Sequence, residues 1–345
     1  MTLTERLKSL SRLLEGGGME TRLPPRYPGV AVELTADRVT GVRVAAERKT
    51  GRLLLRQVEW RPLPEGAIRP SLTRPNIASP EPVTQAVKEI LHALAPGEHR
   101  VSVLLPDHVA RVALLGFTAL PRTRRELADL VRFRMAKSLP YRSDEAALDL
   151  MLLGGGASAA GGPAAASVLA AFIHRAVLDQ FEMLFLGAGY WPGLVGLSTF
   201  ELFNLFRARI GGESADGRDA LLMNATPRYL SILIFSGGQI IFYRCKPYAV
   251  NTAGQESLVG IRREIYTSLA FYQEKLLGRG IGHAFLRVVD LPRGSVREAV
   301  EGEVGCGVSW LDLAAVLSPA EGVTLDDEIA SRASPAAGAA AGRRA

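Results

Sequence analysis

Cysteine and paired histidine are scarce in this sequence, and their scarcity argues against a metal centre. The only cysteines among 345 residues are Cys245 and Cys306, which lie far apart and form no Cys-x-x-Cys pair. Two buried free thiols are therefore favoured over a disulfide or a metal site. The five histidines form no pair at the i, i+3 or i, i+4 spacing of helical metal ligands. We expect no bound metal.

Long apolar runs are also lacking. The longest candidate, residues 164–173, is rich in alanine and well short of the roughly 20 residues that span a bilayer. Glu5, Lys8, Arg12 and Glu15 interrupt any apolar core of a signal peptide near the N-terminus. We therefore expect a cytoplasmic protein.

The formal charge of +6 comes from arginines scattered along the whole chain. Pairs such as Arg124-Arg125 and Arg262-Arg263 lie in predicted helices that also carry acids, which is typical of solvated helix faces. A nucleic-acid interface would need a basic stripe interleaved with aromatic residues, and the sequence shows none. A mildly basic protein working beside an anionic inner leaflet fits the same numbers.

Catalytic motifs are missing as well. There is no Walker loop, no Gly-x-Ser-x-Gly and no cysteine with a plausible histidine partner. Glu33 and Asp37 are better explained as a strand-end charge and a turn residue than as a general acid and base. The sequence therefore predicts a protein that is not an enzyme.

The length exceeds what one hydrophobic core usually supports, which indicates two lobes or an inserted domain. Residues 1–28 are predicted to form an amphipathic helix and a flexible tether. That helix would lie on the membrane surface, on a partner, or on neither. Changes in hydrophobic period assign 29–99 with 190–212 to a first lobe, 100–189 to an inserted α/β domain, and 213–345 to a second lobe.

The stretch 132–150 carries the most specific pattern, an amphipathic helix that Pro140 stops before a strand. It resembles the helix-Pro-Phe/Tyr-x-x-Asp-Glu-x-x-Leu-Asp segment of the PilM family, the cytoplasmic actin-like proteins of type IV pilus machines. A second motif, 264–272, resembles the Glu-Ile-x-x-Ser-Leu-x-Phe/Tyr-Tyr helix of that family. The first resemblance rests on Arg132, Phe133, Lys137, Pro140, Tyr141, Asp144, Glu145 and Asp149.

This resemblance implies an α/β, two-lobed actin-like (ribonuclease H-like) fold. A small strand-helix-strand domain would be inserted in the first lobe, as in the related FtsA family. PilM-like chains also end in a small-residue helix packed on the second lobe. We therefore expect a helix within residues 324–345, although its composition is that of a disordered tail.

Actin-like ATPases hold nucleotide between two Asp-x-Gly hairpins, whose backbone N–H groups meet the phosphates. In the first hairpin Leu34 stands at the expected glycine position. In the second, Asn224 replaces the aspartate, Ala225 replaces the glycine and Pro227 removes a backbone donor. The adenosine-binding Gly-Gly turn is replaced by Asp-Leu-Pro-Arg-Gly at 290–294.

These departures predict that ATP binding is weak or lost, so no cofactor is expected, although weak binding of Mg-ATP stays open. Any nucleotide that still binds would contact Glu33, Thr35, Asn224 and Thr226.

The resemblance implies a non-catalytic cytoplasmic platform of a type IV pilus or related secretion machine. Its groove would take the N-terminal tail of a PilN-like inner-membrane protein, and other platform and motor proteins would hold it at the membrane. Arg132, Phe133 and Tyr141 are the candidate groove residues, with helix-to-sheet packing as their other explanation. An active ATP-dependent switch, and the cytoplasmic domain of a type II secretion platform protein, are the alternatives.

Overall fold

The computed structural model describes residues 28–153, 156–157, 163–164, 166–213, 217–237, 239–248 and 255–342. The predicted N-terminal helix lies outside them. The strands are β1 (Val30–Leu34), β2 (Arg38–Ala46), β3 (Leu53–Pro62), β4 (Arg100–Leu105), β5 (Ala110–Phe117), β6 (Ala146–Leu153), β7 (Gly156–Ala157), β8 (Pro163–Ala164), β9 (Ala166–His174), β10 (Trp191–Leu197), β11 (Asp219–Ala225), β12 (Tyr229–Ser236), β13 (Gln239–Pro247), β14 (Ile281–Val288), β15 (Gly307–Trp310) and β16 (Ser318–Pro319). The α-helices are α1 (Pro80–Leu94), α2 (Arg124–Met135), α3 (Arg175–Gly187), α4 (Ser198–Glu213), α5 (Gln255–Leu276), α6 (Arg293–Val304) and α7 (Asp327–Ala341).

The first lobe is built on a six-stranded sheet in the order β10-β4-β1-β2-β3-β16. Strands β1 to β3 form an antiparallel meander, whereas β4 pairs in parallel with β1 and β10. Helix α1 begins with Pro80, whose fixed φ suits the first helical turn. Its apolar stripe, together with that of α3, buries one face of the sheet.

The inserted domain is a three-stranded antiparallel sheet in the order β5-β9-β6, with α2 packed on one face. Helix α2 begins at a capping box formed by Thr123 and Glu126, and it ends at Met135, before Pro140. Strands β7 and β8 pair antiparallel.

The predicted boundaries of the insert, 100 and 189, are wrong at both ends. Strand β4 lies inside the first-lobe sheet, buried along Val101–Leu105, as expected of a parallel strand covered on both faces. Helix α3 packs with α1 in the first-lobe core. The insert therefore spans about residues 106–174, because the chain leaves the sheet after β4 and returns through α3.

The second lobe is a five-stranded sheet in the order β13-β12-β11-β14-β15. Helices α5 and α6 cover one face, and α4 packs its aromatic side against the other. The two lobes therefore meet across α4. Cys245 and Cys306 are unpaired thiols, and both are partly exposed rather than fully buried.

The predicted C-terminal helix is confirmed as α7, with Asp326 as its N-cap. Its predicted packing on the second lobe is wrong, because its alanines lie against the first-lobe sheet. Gly338 shows why small residues are needed there: an added Cβ would lie 2.1 Å from the carbonyl oxygen of Glu201 on α4. The first lobe thus includes α7. Along the part of the chain that the structure describes, no helix is both long and apolar enough to cross a bilayer.

Candidate functional site

A cavity of about 350 Å³ lies between the two lobes. Two turns form part of its wall, one between β1 and β2 and one between β11 and β12. Each follows the central strand of its lobe, which is where α/β folds commonly bind ligands. Its lining also includes Glu33, His108, Tyr229, Arg287, Asp290 and Arg332.

The first turn is closed by the side chain of Thr35. The backbone N–H of Arg38 donates to Thr35 Oγ1 at 3.2 Å, and the Thr35 N–H donates to the Arg38 carbonyl at 2.9 Å. The Thr35 hydroxyl in turn donates to Asp37 Oδ1 at 2.7 Å. A backbone donor of this turn is therefore already occupied within the turn.

The second turn repeats this arrangement with Thr226. The N–H groups of Arg228 and Tyr229 donate to Thr226 Oγ1 at 3.3 and 3.1 Å. The Thr226 N–H donates to the Tyr229 carbonyl at 3.1 Å. Phosphate-binding turns need such N–H groups to be open to the ligand. In the first turn Thr35 Oγ1 accepts from the N–H of Arg38, and in the second Thr226 Oγ1 accepts from those of Arg228 and Tyr229.

The sequence prediction placed the lost glycines at Leu34 and Ala225, one residue too early. Both are the last residues of buried strands and are fully buried themselves. Counting Asp-x-Gly from Glu33 and from Asn224 puts the glycine positions at Thr35 and Thr226. The repeated Glu/Asn-x-Thr pattern was the signal in the sequence that could have identified the two threonines.

Arg287, on β14, fills the floor of the cleft. Its guanidinium donates to Asn224 Oδ1 at 2.8 Å, to the Ser331 carbonyl at 2.6 Å, and to Glu33 Oε2 at 3.5 Å. Burial raises the pKa of the Glu33 carboxyl, which is 1% exposed, and Arg287 opposes this rise. The cleft thus holds an ion pair between the lobes where a nucleotide's charges would lie.

Asp107, which follows β4, extends this buried network. Its carboxylate accepts hydrogen bonds from the Thr199 N–H at 3.0 Å, from the Thr199 hydroxyl, and from the Ser231 hydroxyl at 2.5 Å. Asn224 Nδ2 donates to Thr199 Oγ1 at 2.8 Å. Burial raises the pKa of Asp107, while these hydrogen bonds lower it. The network joins β4, α4 and the second-lobe sheet.

At the mouth of the cleft, Asp290 forms ion pairs with two arginines. Arg38 reaches it from β2, and Arg332 reaches it from α7 with Nη2 2.7 Å from Oδ1. Asp290 has a left-handed φ of 53°, which aspartate tolerates better than most residues. Beneath this cluster the ring of His108 packs against Tyr229, with 4.8 Å between ring centroids. Burial, together with the charge of Arg228, lowers the pKa of His108 to about 4.

Several cleft residues that would face Mg-ATP are engaged within the protein. Both ends of the Asn224 amide are bonded, and Glu33 contacts Arg287 through Oε2, while its Oε1 has no hydrogen-bond partner. In the described ranges, no three His, Cys, Asp or Glu side chains are grouped so as to hold a metal ion. The four predicted nucleotide contacts, Glu33, Thr35, Asn224 and Thr226, do come together at this cleft, where each is held by protein hydrogen bonds.

Two of the three candidate groove residues on the insert have structural contacts. The Arg132 guanidinium donates to the carbonyls of Ser143 and Ala146. The half-buried Tyr141 hydroxyl donates to the Phe172 carbonyl at 3.4 Å. These contacts fasten the segment that links α2 to β6. Phe133, by contrast, is 80% exposed.

Strand β6 lies at one edge of the insert sheet. Within the described residues it pairs with β9 alone. Met151 and Leu152 on this strand are exposed. Helix α2 is fastened to the same strand by Arg124, which donates to the Leu150 carbonyl at 3.2 Å. The Leu150 N–H also donates to Asp149 Oδ1 at 2.9 Å, so the backbone groups of this one residue are engaged. A strand edge with exposed apolar side chains is a template for an added strand.

No protein-family model matches the sequence, and no curated protein matches it. Among solved structures the chain is similar to one from a PilM-PilN type IV pilus biogenesis complex, with a TM-score of 0.74 and 16% sequence identity over 92% of this chain and 98% of that chain. An actin-like ATPase-fold protein of unknown function from Bacteroides thetaiotaomicron gives a TM-score of 0.47 at 8% identity over 87% of this chain and 96% of that one. The cytoplasmic domain of EpsL, an inner-membrane component of the type II secretion system of Vibrio cholerae, gives a TM-score of 0.44 at 9% identity over 88% of this chain and 92% of that one. The chain therefore has a two-lobed actin-like fold of the PilM-like form, with a small domain inserted in its first lobe.

Proposed function

We propose that this protein is a non-catalytic cytoplasmic platform of a type IV pilus or related secretion machine. Its insert binds the N-terminal tail of a PilN-like inner-membrane protein. That protein, with other platform and motor proteins, holds it at the membrane. The fold it shares with a chain of the PilM-PilN complex supports this assignment.

The observation that carries the non-catalytic part is the self-capping of both cleft turns. Thr35 and Thr226 take the backbone donors that would bind phosphate, and Arg287 occupies the floor between them. Loss of nucleotide contacts does not harm a platform, because binding an extended tail needs apolar pockets and a strand edge rather than a catalytic site.

The tail site is proposed at the open edge of β6, with Phe133 as its aromatic anchor. A tail added to this edge would pair its backbone with β6 and place successive side chains on opposite faces of the sheet, one beside Met151 and the next beside Leu152. Because such a tail buries a modest area and must be ordered on binding, we expect micromolar affinity.

The test is a titration of the full chain with a synthetic peptide. The probe is a peptide with the first fifteen residues of a PilN-like single-span membrane protein. We expect saturable micromolar binding, and Phe133→Ala should weaken it by about 1–3 kcal/mol through loss of the anchor.

Tyr266→Ala is the control, since it removes another exposed aromatic ring, on α5 in the second lobe. It should leave the affinity unchanged. Absence of binding, or equal loss in both variants, would contradict the proposed site. Because Phe133 is exposed, its replacement should leave the free energy of unfolding within about 0.5 kcal/mol of the wild type.

A further inference from the structure

We propose that Arg124 and Asp149 form a lock on the free edge of β6, which a tail must open before it can pair with that strand. The lock presupposes the tail site proposed above, and it gives that site a means of selecting what it accepts. Its two members come from the first turn of α2 and from the middle of β6.

Alternate residues of β6 point their backbone groups away from β9 and toward the free edge. In an antiparallel pair, the N–H and C=O groups of one residue point the same way, and those of its neighbours point the opposite way. The carbonyls of Ala146 and Leu150 accept hydrogen bonds from Arg132 and Arg124 of α2, which lies outside the sheet. The outward set is therefore Ala146, Leu148, Leu150 and Leu152.

Leu150 lies within this edge, and both of its backbone groups are taken. Arg124 Nη2 donates to the Leu150 carbonyl at 3.2 Å and to Asp149 Oδ1 at 3.0 Å. The same Asp149 oxygen accepts the Leu150 N–H at 2.9 Å. An added strand would use these same two backbone groups of Leu150. The lock and an added strand therefore exclude each other.

The spacing of the two arginines on α2 matches the spacing of the two carbonyls. Arg124 and Arg132 are eight positions apart in the sequence, which is about 12 Å along a helix. Ala146 and Leu150 are four positions apart, which is about 14 Å along a strand. Helix α2 thus lies alongside the edge and protects it at two points with charged side chains, as natural strand edges commonly are.

Of these two contacts, the one at Leu150 is the one that opens. Arg124 is 52% exposed and Asp149 is 86% exposed, and ion pairs in such positions are weak. Arg124 also lies in the first turn of α2, where the helix dipole disfavours a positive charge. Arg132 is less exposed and holds two carbonyls, so it stays in place. A tail anchored at Phe133 can displace the lock, whereas an unanchored strand is rejected.

The experiment is a calorimetric titration of the full chain and its variants with the fifteen-residue tail peptide. Arg124→Met keeps a long side chain without its donors, and Asp149→Ala removes the acceptor. Each should tighten the peptide about three- to tenfold, because the lock reduces the apparent affinity by the fraction of chains whose edge is open. The double variant should differ from the tighter single variant by less than about twofold, since either change alone opens the lock.

The two substitutions remove charges of opposite sign, which separates the lock from simpler explanations. A direct effect of charge on the peptide would change the affinity in opposite directions, and a purely structural role would weaken it in both variants. Either result would overturn the lock. Arg142→Met is the matched control, because it breaks another exposed pair of the insert, with Asp144 at 2.7 Å. It should leave the affinity unchanged.

Hydrogen exchange of the Leu150 amide, followed by NMR on a chain labelled at leucine nitrogen, observes the lock directly. Asp149→Ala should speed this exchange in the free chain, and the peptide should slow it again. Thermal unfolding verifies that each variant folds, and either single variant suffices, together with peptide protection of this amide, if the other does not fold.

The two proposals fail in different ways. Equal affinity in the wild type and both lock variants, with Phe133→Ala still weakening the peptide, would overturn the lock alone. Absence of peptide binding in the wild type and in every variant would overturn the tail site and the lock together.

Discussion

Replacing Arg287 with alanine is expected to lower the free energy of unfolding by about 3–5 kcal/mol. The guanidinium is 4% exposed and balances Glu33, which is buried beside it. Without it, a buried carboxylate, the Asn224 amide oxygen and the Ser331 carbonyl lose their donor together. Denaturant unfolding at neutral pH measures this loss.

The control is Arg297→Ala, which breaks a half-exposed i, i+4 pair with Glu301 and should cost less than about 0.5 kcal/mol. Adding Glu33→Gln to Arg287→Ala should recover part of the loss, since it removes the unpaired buried charge. A loss below about 1 kcal/mol in the single variant, or no recovery in the double variant, would show that this ion pair does not hold the cleft.

His108 is expected to make the stability of the protein depend on pH. Its pKa is about 4 in the folded protein, because burial and Arg228 disfavour the charged ring, against about 6.5 in the unfolded chain. The unfolded state therefore binds the proton first, and His108 destabilises the fold as pH falls from about 6.5 towards 4. The loss is about 1.4 kcal/mol per pH unit, with a total of roughly 3 kcal/mol.

Glu33 and Asp107 act with the opposite sign, since their raised pKa values favour the folded state as the solution becomes more acidic. The difference between wild type and His108→Gln isolates the histidine from these two carboxyls. We expect the stability of the variant relative to wild type to rise steadily from pH 7 to pH 4.5. A constant difference over this range would mean that His108 titrates normally in the folded protein.

Much of the fold could be predicted from the sequence, because the hydrophobic period and the proline and glycine residues that end helices and strands are local signals. The stripe of α2 and its stop before Pro140 are examples. The domain boundaries could not be read in this way. Strand β4 and helix α3 look the same locally whether they belong to the insert or to the first lobe, and only sheet pairing decides between them. The packing of α7 depends likewise on a long-range fit, seen at Gly338.

The candidate site was predicted in location but not in detail. Glu33, Thr35, Asn224 and Thr226 do meet at the cleft, since they follow the central strands of the two lobes. Arg287, distant in sequence from Glu33, had no local pattern to identify it. Of the three candidate groove residues, Phe133 is exposed and available to a partner. The side chains of Arg132 and Tyr141 donate to nearby backbone carbonyls instead.

The central claim is that the protein's own side chains have closed its nucleotide site. Titration calorimetry of the wild-type chain with Mg-ATP tests this most directly, with a Thr35→Gly/Thr226→Gly variant measured in parallel. We predict a dissociation constant on the order of millimolar or weaker for the wild type, and tighter binding in the variant because its turn N–H groups are released. Micromolar binding of Mg-ATP by the wild type would contradict the account and favour an ATP-dependent switch.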